Sequence, residues 1–324
     1  MNHALNETVD TGYQRPRDPV EIWLARQWQH ILGFTVGIRE NFFGVGGNSL
    51  DAARVIDAVL QEFGVQLPIN VLTEHPTVER LATLLREHAE RLSGPLVTIQ
   101  DGDGTSPPLF LVHPDHGQVG PYCRLAHALG EEFAVFGIQA AGLYSDAEPR
   151  RTVPAMAAAY VDTVRAVRPT GPYLLGGCAV GAAIAYEMAA RLDDVRLLAA
   201  IDTELLEPPD TGTESWSDEP DPQQDLSRIL ASWQERDLVP RDVSPEFVAR
   251  SLRVWRASRD AVRDWRPSPY TGPIDLFGLP PIKGGGPEGQ GGGKNMALPA
   301  TVVQRTHECG ADGQLADALR ALLG

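Results

Sequence analysis

Tyr173-Leu174-Leu175-Gly176-Gly177-Cys178-Ala179-Val180-Gly181-Ala182-Ala183-Ile184 is the stretch on which the reading of this chain turns. A short apolar run ends in small residues, and a helical spacing of apolar residues follows. Small residues at such a junction allow a strained strand-to-helix turn that presents one side chain. Read from Gly176, the stretch is close to G-x-S-x-G, with Cys178 in the serine's place. Val180 then stands where the second glycine belongs, and Gly181 follows it. A thiol at the start of the helix expected over 179–192 would have its pKa lowered by the helix dipole, which favours the reactive thiolate. Cys178 is the candidate nucleophile.

Working outward, strands are expected at 96–99, 109–113, 134–138, 173–176, 197–202, 274–277 and 301–305. Helices lie between or beyond them, at about 120–129, 153–167 and 314–323. Alternation of this kind predicts a mostly parallel sheet flanked by helices. Nucleophile, acid and histidine follow one another along such chains. The strand after Cys178 ends in Asp202, the candidate acid. Of the eight histidines, His307 alone lies beyond Cys178, so it is the candidate base. Leu109-Phe110-Leu111-Val112-His113-Pro114-Asp115 runs from a strand into a turn. By analogy, the backbone N–H groups of Asp115 and Ala179 would form the oxyanion hole. His116 beside that turn is an auxiliary candidate for proton transfer.

The N-terminal third has a different rhythm. Residues 1–15 read as a tail. Asp18, Pro19 and Glu21 mark a helix start as N-cap, N1 and N3, and Val20, Trp23, Leu24, Trp28 and Ile31 recur at helical spacing. The Gly-rich loop Phe43-Gly44-Val45-Gly46-Gly47-Asn48 leads into a helix over 49–63, stopped by Gly64, and a further helix is expected over 77–92. Ser49 would present its hydroxyl at a helix N-terminus, where the dipole favours a phosphodiester.

These motifs carry two resemblances. Residues 16–90 resemble the acyl/peptidyl-carrier family through Pro16-Arg17-Asp18-Pro19-Val20-Glu21, Asn41-Phe42-Phe43, Gly46-Gly47-Asn48-Ser49-Leu50, Phe63-Gly64-Val65 and His75-Pro76-Thr77. The resemblance implies 4′-phosphopantetheine covalently on Ser49, placed there by a phosphopantetheinyl transferase. Residues 95–324 resemble the type I thioesterase domains of nonribosomal peptide synthetases, members of the α/β-hydrolase family. The matches are Pro108-Leu109-Phe110-Leu111-Val112-His113-Pro114, Gly171-Pro172-Tyr173, the glycine-rich turn, Ile201-Asp202 and His307. The implied fold is a small four-helix carrier domain (16–92), a linker with a first strand (93–108) and an α/β-hydrolase domain (109–324) with a helical lid at about 207–270.

Carrier and release domain in one chain imply a terminal release module acting on a peptidyl thioester delivered by upstream synthetase domains. With Cys178, His307 and Asp202 as triad, an acyl-S-enzyme would keep its activation, which suits a difficult resolving step. Cysteine members of this family close β-lactam and β-lactone rings, so strained-ring cyclisation of an antibiotic-type product is the expected outcome. Hydrolysis, macrocyclisation, or a carrier with a non-catalytic docking scaffold are the alternatives.

Composition narrows the partners. With 28 basic and 43 acidic side chains the net charge is −15, which disfavours nucleic acids and anionic membranes. All but two of the basic residues are arginine; Lys283 and Lys294 bracket 284–293, a stretch with seven glycines that reads as a linker. No apolar run is long enough to span a membrane. Three cysteines cannot complete a disulfide framework, and with no secretory signal a cytoplasmic setting is expected. No histidines or cysteines stand at metal-ligand spacing with enough partners, so no metal site is expected.

Overall fold

The computed structural model describes residues 13–86, 88, 94–145, 147–201, 226–235, 239–243, 245–278, 303–309 and 312–323. Contacts divide the chain into two units, one ending at Leu92 and the other beginning at Ser93.

The first unit holds four helices: α1 (Pro19–Leu32), α2 (Ser49–Phe63), the short α3 (Val71–Glu74) and α4 (Val78–Leu85). Asp18 caps α1 by accepting the Glu21 N–H at 2.8 Å. The cap is one-sided: the Glu21 carboxylate turns to Arg17, accepting its backbone N–H at 2.9 Å and its guanidinium at 2.6 Å. Arg86 donates to Glu21 and to Asp18, and Arg17 also reaches Glu79, so buried charge ties the start of α1 to α4. Beneath it Leu24, Trp28, Val55, Val59, Leu81 and Leu85 are fully buried, with Trp28 edge-on to Phe42 at 4.7 Å. The short α3 escaped the sequence pattern, since four residues hold no helical period. The helix expected over 77–92 is described to Leu85, and the residues beyond Arg86 lie largely outside the described ones.

The second unit is built on a seven-stranded sheet. Its elements are β1 (Leu96–Gln100), β2 (Leu109–Val112), α5 (Tyr122–Leu129), β3 (Val135–Ile138), α6 (Val153–Val167), β4 (Tyr173–Cys178), α7 (Val180–Ala189) and β5 (Val195–Ile201). They continue with α8 (Leu226–Glu235), α9 (Pro245–Arg263), β6 (Ile274–Gly278), β7 (Gln304–Glu308) and α10 (Asp312–Leu323). The strand order is β1-β3-β2-β4-β5-β6-β7, with β1 antiparallel to β3 and every other pairing parallel. All six residues of β4 and all ten of α7 are buried, as expected for a central strand and the helix lying on it. Polar support is concentrated at Glu187 on α7. Its carboxylate accepts from Trp265 Nε1 at 2.9 Å, Ser268 N at 2.7 Å and Ser268 Oγ at 2.9 Å, and it pairs with Arg191. These bonds hold its pKa below the usual carboxylate range against the cost of burial, and they pin the chain leaving α9 to α7.

The last strand departs from the sequence expectation. The β-branched run at 301–305 suggested a strand ending before His307, yet pairing begins at Gln304 and encloses His307. The register is fixed from the side: His307 pairs with Phe277, the two rings stack at 4.6 Å, and Asp275 bonds the imidazole. No helix among the described residues is long and apolar enough to cross a membrane. The 284–293 linker and the whole stretch from 207 to 225 fall outside the described residues.

Removing one member of a buried ion pair leaves its partner charged and uncompensated. Arg17→Ala should therefore cost the first unit about 3 kcal/mol. Amide exchange in α1 and α4 of the whole chain measures this; unchanged protection there would refute it.

Candidate active site

Two glycines set the turn that ends β4. A Cβ on Gly177 would run into the backbone of Gly181, and one on Gly181 into the carbonyl oxygens of Val112 and His113. Strand and helix can cross this closely only with both positions bare. The motif frame is therefore Gly177-Cys178-Ala179-Val180-Gly181, and its central residue is Ala179. The backbone agrees: Ala179 has φ 49° and ψ −118°, a region costly for an L-residue, and α7 starts only at Val180. Ala179 is exposed, whereas Cys178 is 0% exposed.

This corrects the assignment of Cys178 as the presented nucleophile. Cys178 is the last residue of β4, one position before the turn residue, and its side chain is packed inward. Its N–H donates to the Tyr122 hydroxyl at 3.0 Å, and that hydroxyl donates to the Val112 carbonyl at 2.6 Å. Tyr122 thus laces the ends of β4 and β2 together beneath the turn. Burial, with Cys178 beside it, holds the phenol well above its usual pKa, so it stays a neutral donor. The spacing of Gly177 and Gly181 could have revealed the frame from sequence; nothing in the sequence signalled Tyr122.

The oxyanion turn is also rearranged relative to expectation. With Ala179 at the centre of the turn, the N–H that follows it belongs to Val180, not to Ala179. That N–H donates to the Asp115 side chain, Oδ1, at 3.2 Å. Asp115, expected to contribute its backbone, thus contributes its carboxylate, and burial pushes its pKa up while the Arg259 charge opposes the rise. His116 lies under α9: its ring stacks parallel to Trp255 at 6.4 Å and edge-on to Trp233 at 6.2 Å. Gly117, at φ +83°, sits where a Cβ would strike Ala140 and Val254. Helices α8 and α9 cover this end of the sheet, their Leu230, Trp233, Phe247, Val248 and Leu252 packing with Ala140 and Leu143.

His307 Nε2 lies 2.9 Å from Asp275 Oδ1. Asp275 is 1% exposed and sits inside β6, a partner that sequence reasoning did not consider because a strand-interior acid carries no motif. The carboxylate accepts, so Nε2 carries a proton and is the donor. Asp202, the expected acid, lies outside the described residues. Successive pairing runs Cys178–Ile201–Phe277–His307 along the carboxyl edge of the sheet. Three strand spacings, roughly 14 Å of backbone, therefore separate β4 from β7. Among the described residues, no group of three or more His, Cys, Asp or Glu is placed to hold a metal ion.

In the first unit Ser49 is exposed and opens α2. Asn48 caps that helix, accepting from Leu50 N at 2.8 Å and Asp51 N at 3.1 Å, while Asp51 accepts the Asn48 N–H. A Cβ on Gly47 would meet the Phe42 ring, so the approach to Ser49 is tight and fixed. An exposed hydroxyl at the positive end of a helix fits a phosphodiester-linked group.

Behind the oxyanion turn, His113 Nδ1 donates to the Pro114 carbonyl at 2.8 Å, so Nε2 accepts from the Tyr160 hydroxyl at 2.9 Å. His113 is fully buried and its pKa is pushed down to about 4; His116 is driven to about 4 by the same cause. Unfolded histidine takes up its proton near pH 6.5. Both groups therefore contribute full stability above about pH 6.5 and lose it toward pH 4, at roughly 1.4 kcal/mol per pH unit each. Urea midpoints between pH 7 and 4.5 should fall steeply, and His113→Gln should flatten that slope; an unchanged slope would count against the buried neutral imidazole.

Residues 107–319 match the thioesterase domain family, and residues 23–85 the phosphopantetheine attachment site family. Malpinin synthetase of Mortierella alpina is 34% identical over 261 residues, which cover 78% of this chain and 3% of that protein. The dimodular nonribosomal peptide synthase of Bacillus subtilis is 34% identical over 192 residues, 58% of this chain and 8% of its own length. The chain thus spans a small part of these relatives. The structure of a holo four-domain nonribosomal peptide synthetase bound to AMP and glycine matches with TM-score 0.73 and 26% identity, over 99% of this chain and 26% of that one. The NocB thioesterase domain, solved as a covalent complex with a fluorophosphonate nocardicin G analog, shares the fold at TM-score 0.51 and 24% identity, over 71% of this chain and 99% of that one. The chain belongs to the thioesterase domain family, and its thioesterase follows a carrier domain of the kind that bears 4′-phosphopantetheine on a serine.

Proposed function

We propose that the chain is the carrier and release end of a nonribosomal peptide synthetase whose release domain, with alanine at the turn, binds an acyl chain without taking it covalently. Ser49 is the serine assigned to phosphopantetheine, modified by a phosphopantetheinyl transferase and loaded with a peptidyl thioester by upstream synthetase domains. The observation that carries the reading is Ala179: it holds the strained, exposed position where a nucleophile belongs, and its methyl group cannot attack a thioester.

The neighbouring groups support the same view. Attack by Cys178 would require its Sγ to leave a fully buried site, and the expectation of strained-ring closure depends on that sulfur. His307 is bonded by Asp275, and its strand β7 lies three strands from β4 in the sheet. Of the alternatives open to the sequence, the carrier with a non-catalytic release domain is therefore favoured. The family fold, the strained turn and the covering helices would remain suited to hydrolysis or cyclisation once a hydroxyl is supplied at position 179, with His307 as base.

Intact mass spectrometry of the chain loaded with an acyl-pantetheine on Ser49 tests this. The unaltered chain should keep the acyl group on the pantetheine arm, with release no faster than the background of the free thioester. Ala179→Ser should show the acyl group moving to the introduced serine, followed by release as free acid or as acid minus water. Acyl transfer to Cys178 in the unaltered chain, abolished by Cys178→Ala, would overturn the proposal.

A further inference from the structure

Asp115 holds a position that a working thioesterase would need free. The N–H of Val180 is the first of α7 and directly follows the strained residue, and donors so placed stabilise the oxyanion that forms during acyl transfer. Here that donor is spent on the Asp115 carboxylate at 3.2 Å. We propose that Asp115 is an internal plug of the oxyanion site, held in place by the covering helix α9, so that the turn is occluded until α9 moves. The inference rests on the reading that the acyl group is brought to position 179.

Packing contacts join the residues that follow Asp115 to α9, and a charge on the same helix acts on Asp115 itself. Directly after Asp115, His116 stacks on Trp255, and Gly117 makes its close approach to Val254. From the same helix, the Arg259 charge acts on Asp115, and its guanidinium lies 4.8 Å from the Trp255 ring centroid. Residues 116 and 117 thus pack on Trp255 and Val254, with the Arg259 charge near Asp115. On the other side Tyr122 and Val180 fix the floor of the site. The occlusion has two components: a lost donor, and the repulsion of a carboxylate against an oxyanion forming within hydrogen-bond reach. A simple helix cap would share the hydrogen bond, but its removal would only weaken α7. Removal of a plug accelerates chemistry at position 179.

A small fluorophosphonate reads this without knowledge of the natural acyl chain. In Ala179→Ser the introduced hydroxyl attacks phosphorus, the O–P bond forms, the P–F bond breaks, fluoride leaves and the hydroxyl proton passes to solvent. The phosphoryl oxygen calls on the same Val180 N–H. Labelling of Ala179→Ser/Asp115→Ala, followed by intact mass spectrometry, should be about tenfold or more faster than that of Ala179→Ser, since one oxyanion donor is worth at least that much. Ala179→Ser/Asp115→Asn should fall between them, because an amide oxygen still accepts the N–H but carries no charge. Amide exchange in α9 should also rise when Asp115 is replaced in the otherwise unaltered chain. Labelling that is no faster in either double variant overturns the plug and leaves Asp115 as a cap; the Asn variant alone decides if the Ala variant fails to fold. Absence of labelling in every variant overturns the assignment of position 179, and the plug with it.

Discussion

The close crossing of β4 and α7 is the constraint on which this thioesterase is built. Gly177 and Gly181 touch with no room for side chains, and that contact forces Ala179 into a positive φ that the surrounding structure must hold. Strain of this kind costs of order 1–3 kcal/mol and persists only when neighbours over-determine it. Those neighbours can be named. Tyr122 bonds Cys178 and Val112 beneath the turn, Asp115 bonds Val180 beside it, and Glu187 fixes the far end of α7 to the chain leaving α9. These bonds join the turn to the end of β2 and to Asp115, and the helix behind it to the chain leaving α9.

Alanine in that position separates the architecture from the chemistry. The strained, exposed turn is present, and the side chain it carries is a methyl group. The thiol one residue earlier is fully buried, since a strand-end side chain and a turn side chain leave the backbone in different directions. The carrier unit is built on a different principle. Its buried Arg17 and Glu21, with the half-buried Arg86, lock α1 to α4, while the Ser49 end of α2 stays open.

The strand and helix order of the second unit, the boundaries of α2 and α6, and the capped start of α1 were legible in the residues, since periodicity, Gly stops and N-caps are local signals. In the sequence the motif admits two frames that differ by one residue. Taking Gly176 as the first glycine made Cys178 central, and only the pair Gly177 and Gly181 gives the five-residue spacing without a displaced member. Asp275 was illegible for a different reason: it lies 32 residues before His307 and meets it only through the pairing of β6 and β7.

By itself, then, the sequence determined the two-part organisation, the mostly parallel sheet, the exposed Ser49 and the existence of a glycine-bounded turn, because each follows from interactions between residues close in the chain. The tertiary structure decided which residue the turn presents, which acid holds His307 and what Asp115 does. Those outcomes depend on non-local contacts: a glycine pair pressed together where strand and helix cross, a strand register set by a stacked ring, and a carboxylate brought 65 residues along the chain to the start of a helix.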